Sequence, residues 1–378
     1  MCDGLDLTLY PLGEYVQLLQ RNDLLLRAAG APLTREVALV SCDSREVVPG
    51  TLFICKGAHF KPEFLASARD KGAFAYLAEK PYEGIDLPCL LVSDVRLAMA
   101  LLADFYYGHP SGKLSVVGVT GTKGKSSTAY YLRYIFDEYL AAQEKPLSGI
   151  VSSIDTYDGV ERFESHLTTP EPLDLERHFA NAVATGIPYL TMEVSSQALK
   201  YDRVKNVQFA AAVFLNIGQD HISPIEHPDF EDYYTAKLRI FDACRTGCVN
   251  TDAELAARTL EYARKSGCRL ITFGSHADDT IFCERVEKRA DGIRFSVRSP
   301  KYNGWFSITM PGLFNVSNAL AAMAASMALD VPEQFVRTGL RRARAGGRMQ
   351  VYESRDKKVT VIVDYAHNRM SFDALYRS

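Results

Sequence analysis

Short apolar runs alternate with amphipathic segments over the first part of the chain, up to about Pro110. The apolar runs predict strands, and the segments between them predict helices. The predicted strands are Ala38–Ser41, Thr51–Cys55, Ala73–Ala78 and Cys89–Val92, and the predicted helices include Pro62–Lys71 and Arg96–Tyr107. Alternation of this kind is typical of an α/β unit. We therefore expect residues 1–110 to form a first α/β domain.

The turn-rich segment Gly108–Gly112 separates this region from a second one, 111–344, whose apolar runs are continuous. Continuous apolar runs are typical of parallel strands that are buried on both faces. The predicted strands here are Leu114–Val119, Tyr189–Val194, Ala210–Asn216, Cys248–Thr251 and Arg269–Phe273. The second region therefore predicts a mostly parallel sheet built from repeated strand–helix units.

The last part of the chain departs from this repeat. Residues Thr280–Met310 alternate polar and apolar positions and predict an antiparallel meander. The alanine-rich segment after Asn315 predicts a helix with polar residues capping its start. A strand, Val359–Val363, and the stub of a helix follow, so we expect 345–378 to begin a third domain.

Composition and charge exclude several classes of protein. With 43 Lys+Arg against 46 Asp+Glu the formal net charge is −3, which argues against a nucleic-acid platform but permits a local basic pocket for a phosphorylated small molecule. The N-terminus is not typical of a secretory signal, and the apolar runs are too short to span a bilayer. The eight cysteines are scattered, without a CxxC pair, and Cys244 and Cys248 are expected on one helix. We expect reduced thiols, a cytoplasmic location and no membrane partner.

The strongest local signal is a strand, a glycine-containing turn and a helix around residues 116–139. Backbone N–H groups of such a turn can surround a polyphosphate, and the helix N-terminus adds a partial positive charge. Lys125 is placed to reach the β and γ phosphates, and the Ser126 hydroxyl to bind Mg²⁺. The pattern GxxxxGK[ST] is not met, because residue 119 is valine, and the shorter form over 121–126 remains. The alternative is an ordinary turn between strand and helix.

Several further segments occur in the order of one known family along nearly the whole chain. They are CDSREVVPGTLFICKG (42–57), FYYGHPSGKLSVVGVTGTKGKSST (105–128), LTTPEPLDL (167–175), MEVSSQAL (192–199), DH (220–221), YYTAKLRIF (233–241), FNVSNALAA (314–322), GGRMQV (346–351) and VIVDYAHN (361–368). These segments resemble the Mur ligases, which form amide bonds in peptidoglycan precursor synthesis. The TTPE and MEVSSQAL segments are most similar to the MurE type, which adds an amino acid to UDP-N-acetylmuramoyl-L-alanyl-D-glutamate.

The resemblance implies an N-terminal substrate domain, a P-loop ATPase domain with a mostly parallel sheet, and the start of a Rossmann-like C-terminal domain. It also implies ATP as cofactor, and transfer of its γ-phosphate to a carboxylate before amide formation. Arg348 would swing in with the third domain and stabilise the transferring phosphoryl group. The implied ATP-binding residues are Gly121, Thr122, Lys123, Gly124, Lys125, Ser126, Ser127, Asn315, Arg348, Asp364 and His367. Those implied to act in catalysis are Lys125, His221, Lys237 and Arg348.

A metal site and a modified lysine are also implied by the resemblance. Glu193 and His221 would bind Mg²⁺ with Ser126, and Asp220 would orient the imidazole. Imidazole is an unusual Mg²⁺ ligand, so the role of His221 comes from the resemblance alone. Lys237 would be carbamylated by CO₂ and would then bind a second Mg²⁺, since burial lowers the amine pKa and favours the neutral nucleophile. The alternatives are an ion-paired carboxylate, a structural histidine and a solvated lysine.

Residues that resemble a pocket for the UDP-muramoyl dipeptide come from both of the first two regions. They are Ser44, Lys56, Gly57, Thr168, Thr169, Ser195 and Arg203. Turn and capping chemistry for the hydroxyls, and a surface charge for Arg203, are the alternatives. Gln197 stands where the type commonly has histidine, which makes the role of that position uncertain, and His227 has no assigned role.

Three functions remain open. The first is an ATP- and Mg²⁺-dependent ligase that joins an amino acid to a UDP-muramoyl dipeptide. The second is a ligase of the same superfamily acting on another carboxylate, although the TTPE segment and the first-region motifs argue against folate. The third is a nucleotide or UDP-sugar binding protein that does not turn over alone, because members of the family continue for a full third domain after DYAH. We therefore expect the 378 residues to be part of a longer ligase.

Overall fold

The computed structural model describes residues 5–366, apart from 58, 59, 221, 225 and 357, and residue 372. Contacts within the chain define two compact units. Unit 1 contains the described residues of 1–113 together with Pro170–Ala184 and Tyr201–Val207, and unit 2 contains Leu114–Thr169, Thr185–Lys200 and the described residues from Gln208 onward. The proposed domain boundaries at 110 and 344 stay predictions.

The helices and strands are numbered here in chain order. They are α1 (Leu12–Arg21), β1 (Leu25–Arg27), β2 (Leu39–Ser41), β3 (Thr51–Ile54), α2 (Pro62–Asp70), β4 (Ala73–Ala78), β5 (Cys89–Val92), α3 (Val95–Tyr106), β6 (Ser115–Thr120), α4 (Lys125–Ala141), β7 (Gly149–Val151), β8 (Asp155–Tyr157), β9 (Arg162–Glu164), α5 (Pro172–Ala184), β10 (Tyr189–Glu193), α6 (Ser196–Lys200), β11 (Phe209–Phe214), α7 (Phe230–Leu238), β12 (Cys244–Asn250), α8 (Ala256–Lys265), β13 (Arg269–Gly274), β14 (Ile281–Arg289), β15 (Gly292–Arg298), β16 (Gly304–Ile308), α9 (Phe314–Ala328), α10 (Glu333–Arg342), β17 (Gln350–Glu353) and β18 (Thr360–Val363).

Unit 1 is an α/β layer structure, as the alternating pattern predicts. Its sheet has the order β1-β5-β4-β3-β2, in which β2 to β5 are parallel and β1 is antiparallel. Every residue of β3 and β4 is buried, which explains why these strands are continuous apolar runs. Asp94 caps the start of helix α3: its carboxylate accepts hydrogen bonds from the backbone N–H groups of Arg96 and Leu97. A cap of this kind contributes about 1 kcal/mol to helix stability.

A buried carboxylate in unit 1 makes its stability depend on pH. Glu176 on α5 is 3% exposed, and its Oε2 has no hydrogen-bond partner among the described residues. Burial, and next the charge of Asp104, raise the pKa of Glu176 well above its usual value. A raised pKa in the folded state means that the stabilisation is complete below the unfolded pKa and is lost as the pH rises.

We therefore expect Glu176→Gln to raise the melting temperature of unit 1 at pH 8 by a few degrees, since about 1 kcal/mol shifts it by roughly 4 °C in a domain between 100 and 150 residues. The gain is expected to disappear near pH 4, where the wild-type carboxyl is protonated. Thermal unfolding followed by circular dichroism at both pH values measures this. Asp174→Asn, at an exposed position of the same helix, is the control and should show no such gain. An equal change at both pH values would contradict the electrostatic cause.

The large sheet of unit 2 has the order β16-β15-β14-β13-β12-β11-β6-β10-β7-β8-β9. Its central strands, in the spatial order β13-β12-β11-β6-β10-β7, are parallel. Strands β14 to β16 form the antiparallel meander that the alternating pattern predicts. The expectation of a helix for Cys244 and Cys248 is wrong, because both residues lie on β12. Pairing with two parallel neighbours, β11 and β13, fixes this segment as a strand.

Helix α9 covers the sheet of unit 2 and is buried over most of its length, from Asn315 to Met327. Its alanines allow close packing against α4 and the strands beneath. The predicted polar cap is absent: the helix begins after Leu313, and the Asn315 amide donates to the Pro311 carbonyl instead, at 2.6 Å. Among the helices of the described residues, none is long and apolar enough to cross a membrane.

Candidate functional site

Three adjacent strands of unit 2, β11, β6 and β10, end side by side at one edge of the sheet. All three are parallel, so the segments that follow them meet at this carboxyl edge. The loop 121–124 follows β6, Glu193 ends β10, and Asn216 lies two residues after β11. Ligands of open α/β sheets bind at such edges, and most of the predicted site residues of unit 2 gather here.

The loop between β6 and α4 has the backbone of a phosphate loop. Gly124, directly before α4, has φ +89°, and a Cβ there would lie 2.3 Å from Oδ1 of Asn318. The Asn216 side chain fixes the loop from the other side, since its Oδ1 accepts from the Lys123 N–H at 2.9 Å and its Nδ2 donates to the Lys123 carbonyl at 3.0 Å. The Thr122 hydroxyl is bonded to the Tyr233 hydroxyl at 3.1 Å. The loop is therefore held in shape by its own protein contacts.

Two lysine side chains lie under this loop. Lys125 Nζ donates to the carbonyl of Gly121 at 2.9 Å, and Lys237 Nζ donates to the same carbonyl at 3.1 Å. Burial lowers the pKa of Lys125, against an opposing effect of the Glu193 carboxylate. Burial, and next the charge of Lys125, lower the pKa of Lys237 well below its usual value. Lys237 is 1% exposed, so it is not the solvated lysine of the alternative interpretation.

Oxygen atoms cluster on the other side of the loop. Glu193 is buried, and its Oε1 accepts hydrogen bonds from the Ser153 N–H at 2.9 Å and the Ser153 hydroxyl at 3.2 Å. The Ser153 hydroxyl is 3.1 Å from that of Ser126, and the Arg348 guanidinium donates to both, at 3.2 and 2.9 Å. Carboxylate and hydroxyl oxygens are the donors that Mg²⁺ prefers. The side chains of Ser126 and Glu193 therefore fit a magnesium ion, with Ser153 as a neighbour.

The hydroxyls of the TTPE and MEVSSQAL segments meet at the end of β10. The Thr169 hydroxyl donates to the Glu193 carbonyl at 2.9 Å and lies 3.4 Å from the Ser195 hydroxyl. It also accepts from the Ser195 N–H at 3.0 Å. Thr168 precedes it and is half-buried. Thr169 and Ser195 thus lie beside Glu193, and the substrate-binding role that the resemblance implies for Thr168, Thr169 and Ser195 stays a prediction.

A second group of predicted residues lies within unit 1. The Glu171 carboxylate forms ion pairs with Lys56 and with Arg203, the latter at 2.8 Å. These side chains line a cavity of about 100 Å³ that also includes Met99, Arg96 and Tyr201, and the Arg96 guanidinium lies 4.2 Å from the centre of the Tyr201 ring. Three cations around one carboxylate leave a net positive charge in the cavity. Arg203 is therefore not the isolated surface charge of the alternative interpretation.

The remaining predicted residues lie in varied surroundings. Ser44 is half-buried, and its carbonyl accepts from Lys71 at 2.8 Å, whereas Gly57 is exposed with φ +111°. Ser127 is buried in the first turn of α4.

The last of the predicted residues concern the nucleotide and the metal. The buried amide of Asn315 accepts from Asn318 at 2.9 Å, Asp364 accepts from the Met349 N–H at 2.8 Å, and Lys123 pairs with Asp220 at 3.3 Å. His221 and His367 lie outside the described residues, and their predicted roles stay predictions.

Five residues that contact the predicted ones escape detection from the sequence. They are Ser153, Glu171, Asn216, Tyr233 and Asn318. Asn216 could have been found, because a polar residue that directly follows a buried strand lies at the edge where ligands bind. Three of the others, Glu171, Tyr233 and Asn318, lie within the family segments. Their partners, like that of Ser153, come from distant parts of the chain, so the local pattern does not show these contacts.

A parallel α/β sheet whose central strand passes through a glycine loop into a helix, with buried lysines and a carboxylate at the same edge, defines a P-loop α/β protein. Comparison with known proteins makes this class specific. Residues 119–326 match the model of the Mur ligase middle domain.

A ligase from Enterococcus faecalis, UDP-N-acetylmuramoyl-L-alanyl-D-glutamate–L-lysine ligase, is 39% identical over 339 residues, which is 88% of this chain and 66% of that protein. The UDP-N-acetylmuramyl-tripeptide synthetase of Bifidobacterium longum is 38% identical over 345 residues, 89% of this chain and again 66% of the relative.

The structure of a UDP-N-acetylmuramoyl-L-alanyl-D-glutamate–2,6-diaminopimelate ligase has a similar fold. Its TM-score is 0.78 at 22% identity, and the match covers 98% of this chain and 74% of that one. The chain therefore belongs to the Mur ligase family, as the resemblance in sequence implies, and spans 66% of the length of the curated relatives that it matches.

Proposed function

We propose that this chain is the substrate- and ATP-binding part of a ligase that adds an amino acid to UDP-N-acetylmuramoyl-L-alanyl-D-glutamate in peptidoglycan precursor synthesis. In the reaction, an oxygen of the substrate carboxylate attacks the γ-phosphorus of ATP, and ADP leaves. The amine of the amino acid then attacks the carbonyl carbon of the acyl phosphate, and inorganic phosphate leaves as the amide forms. The names of the relatives at 38–39% identity support this substrate.

The observation that carries the proposal is the pair of buried lysines under the glycine loop. Both Lys125 and Lys237 donate to the Gly121 carbonyl, and two ammonium groups in one buried place repel each other. A polyphosphate bound in the loop would neutralise the positive charge of Lys125, which is the first residue of α4. Lys237, on a different helix, is left with a strongly lowered pKa and needs another explanation.

Carbamylation of Lys237 explains this. A lowered pKa raises the fraction of neutral amine near pH 7. The nitrogen lone pair attacks the carbon of CO₂, an N–C bond forms, one C=O electron pair moves to oxygen, and the nitrogen loses a proton. The product is an anion in place of a cation. Lys237 stands at the motif position where, by resemblance to the MurE type, the lysine carries this modification. The burial of Lys237 fits carbamylation.

Ser126, Glu193, the carbamate of Lys237 and His221 would hold Mg²⁺ in this proposal. When bound, the metal supplies positive charge to the oxygens of the transferring phosphoryl group. The residues of the chain do the rest: the loop N–H groups and Lys125 orient the triphosphate, and Arg348, bonded to Ser126 and Ser153, brings a guanidinium to the same place. Alignment and charge neutralisation of this kind are the main part of catalysis in phosphoryl transfer.

The cation-lined cavity of unit 1 is proposed to hold an anionic part of the UDP-muramoyl dipeptide. Its three cations exceed its one carboxylate, so it attracts anions even with Glu171 paired to Lys56 and Arg203. The substrate offers both a diphosphate and carboxylates.

We expect Arg203→Ala to weaken binding of UDP-N-acetylmuramoyl-L-alanyl-D-glutamate by about ten- to a hundredfold, because a hydrogen bond to a charged group contributes about 1.5–3 kcal/mol. Isothermal titration calorimetry on the chain measures it, with little change expected in the affinity for MgATP. The control is Arg177→Ala, which removes an arginine paired to Asp174 on α5 and should bind both ligands normally. Equal weakening by both variants would contradict a specific role of Arg203.

One assay tests the whole proposal. The ligase that carries this chain is incubated with ATP, Mg²⁺, bicarbonate and the UDP-muramoyl dipeptide against a panel of amino acids, and phosphate release and product mass are followed. A product that depends on one amino acid is the expected result. Phosphate release only with unrelated carboxylates would favour the second function, and binding of ATP and dipeptide without product would favour the third.

A further inference from the structure

A network of four hydrogen-bonded side chains joins helices α6 and α7 next to the proposed active site. His227 precedes α7 and is fully buried, with Nδ1 2.6 Å from Oδ2 of Asp232 and Nε2 2.9 Å from the hydroxyl of Ser196. Lys200 donates to the same Oδ2 at 2.6 Å. Ser196 and Lys200 are four residues apart on α6, and Asp232 lies in the first turn of α7. The imidazole and the carboxylate thus clamp one helix to the other.

The other members of this network stabilise the charge of the Asp232 carboxylate. Despite desolvation, which acts in the opposite direction, hydrogen bonds from Lys200 and His227 hold the pKa of Asp232 below its usual value. Because a carboxylate only accepts, Nδ1 of His227 donates to it, and Nε2 is left to the Ser196 hydroxyl, which can either donate or accept. Both nitrogens of the buried imidazole are therefore used, whereas the side chains of Asp232 and Lys200 are partly exposed. A polar network of this kind fixes geometry when every member has a partner.

Two of these contacts, serine to histidine and histidine to carboxylate, also occur in serine hydrolases, where histidine activates the serine. Here Ser196 is 5% exposed and is the first residue of α6, packed beneath the edge that carries Ser195. A buried hydroxyl does not reach an external carbonyl. The arrangement therefore does not suit a nucleophile, and it suits the positioning of the two helices.

Further contacts continue from His227 to the centre of the proposed site. Its ring packs edge-on against Tyr233, with centroids 5.2 Å apart. The Tyr233 hydroxyl is bonded to Thr122 in the glycine loop, and the Tyr233 ring lies 4.7 Å from Nζ of Lys237. On the other side, Ser196 directly follows Ser195, which is bonded to Thr169. His227 thus lies between the predicted substrate hydroxyls and the lysine under the loop.

We propose that His227 is a positioning residue that holds α7, and with it Lys237 and Tyr233, at a fixed place relative to Ser195 and the glycine loop. The inference rests on the proposed function, since it concerns the carbamylated form of Lys237. Without the clamp, α7 is free to shift, and the amine of Lys237 loses its fixed place beside the Tyr233 ring and the Gly121 carbonyl. The loss falls on carbamylation and turnover and spares the binding of ATP, which the loop itself provides.

Two variants test this, His227→Asn and Ser196→Ala, and Tyr234→Phe is the matched control. Tyr234 is on the same helix, and its hydroxyl is bonded to Thr259 on α8 at 2.9 Å, so the control also loses one buried hydrogen bond of α7. The chain is equilibrated with ¹³C-bicarbonate, and the carbamate carbon is measured by NMR together with the melting temperature. In the ligase that carries the chain, kcat and the KM for ATP are measured.

We expect His227→Asn to lower carbamate occupancy at least fivefold and kcat about tenfold, with the KM for ATP changed less than twofold, and Ser196→Ala to show a smaller loss of the same kind. Tyr234→Phe should lose stability but keep the carbamate. If His227→Asn does not fold, Ser196→Ala decides. Unchanged carbamate in Ser196→Ala and in folded His227→Asn, or an equal loss in Tyr234→Phe, overturns the inference. A wild-type chain without a carbamate signal contradicts the proposed function itself.

Discussion

Replacement of Lys237 by alanine is expected to lower the rate of ligation on the order of 100- to 1,000-fold, the size of effect seen when one group that stabilises a transition state is removed. The carbamate would be lost, and with it an anion in the metal site, while the buried cavity of the side chain would remain. Since Lys237 is 1% exposed under the glycine loop, short carboxylic acids such as acetate or formate are expected to restore part of the rate by occupying that cavity. Initial rates of phosphate release with and without these acids measure the effect.

Lys265→Ala is the control for this experiment, because Lys265 is an exposed lysine at the end of α8 whose side chain is 74% exposed. It should ligate at the wild-type rate and respond to no added acid. Omission of bicarbonate from the wild-type assay should lower the rate in the same direction as Lys237→Ala. Ligation by Lys237→Ala at the wild-type rate without added acid would remove carbamylation from the proposed mechanism.

The second large effect is expected for Gly124→Ala, which should weaken MgATP binding about ten- to a hundredfold. A Cβ at this position would lie 2.3 Å from Oδ1 of Asn318, and the backbone has φ +89°. Asn318 is itself held by Asn315, so the loop has to give way. Overpacking costs about 1–3 kcal/mol, and each 1.4 kcal/mol is a factor of ten in affinity. Calorimetric titration with MgATP measures the loss.

Gly186→Ala separates the effect of the left-handed backbone from the effect of the contact with Asn318. Gly186 also has a left-handed backbone, with φ +74°, but a Cβ there would meet nothing within 4 Å. It should cost the same backbone strain, about 1–2 kcal/mol of stability, and leave the affinity for MgATP unchanged. If the two variants bound MgATP equally well, the shape of the loop would not depend on the contact between Gly124 and Asn318.

Local pattern was enough to predict many elements of the fold. Strands β4 and β5 have the predicted bounds, because a short buried strand between turns is recognisable from its apolar run alone. The helix predicted after the glycine loop is present as α4, which begins at Lys125. The antiparallel meander near 280–310 was also predictable, since polar and apolar residues alternate along this segment.

Predictions failed where a distant contact decides the conformation. The cysteines 244 and 248 lie on a strand because β11 and β13 supply hydrogen bonds on both sides. The missing cap of α9 has a local reason instead, since the Asn315 amide donates to the Pro311 carbonyl four residues earlier. Residues 170–184 and 201–207 pack with unit 1, although they are separated from it in sequence by a long part of unit 2.

The sequence by itself determined the family, the α/β class and the residues around the glycine loop, because these depend on apolar runs, turns and motifs that are contiguous in the chain. Only the tertiary structure decided which partners those residues have: Glu171 between Lys56 and Arg203, Asn318 against Gly124, and His227 between two helices. The physical reason is that burial, lowered lysine pKa values and paired charges arise between segments that are remote in sequence. They exist only after the sheet has brought the ends of its strands together.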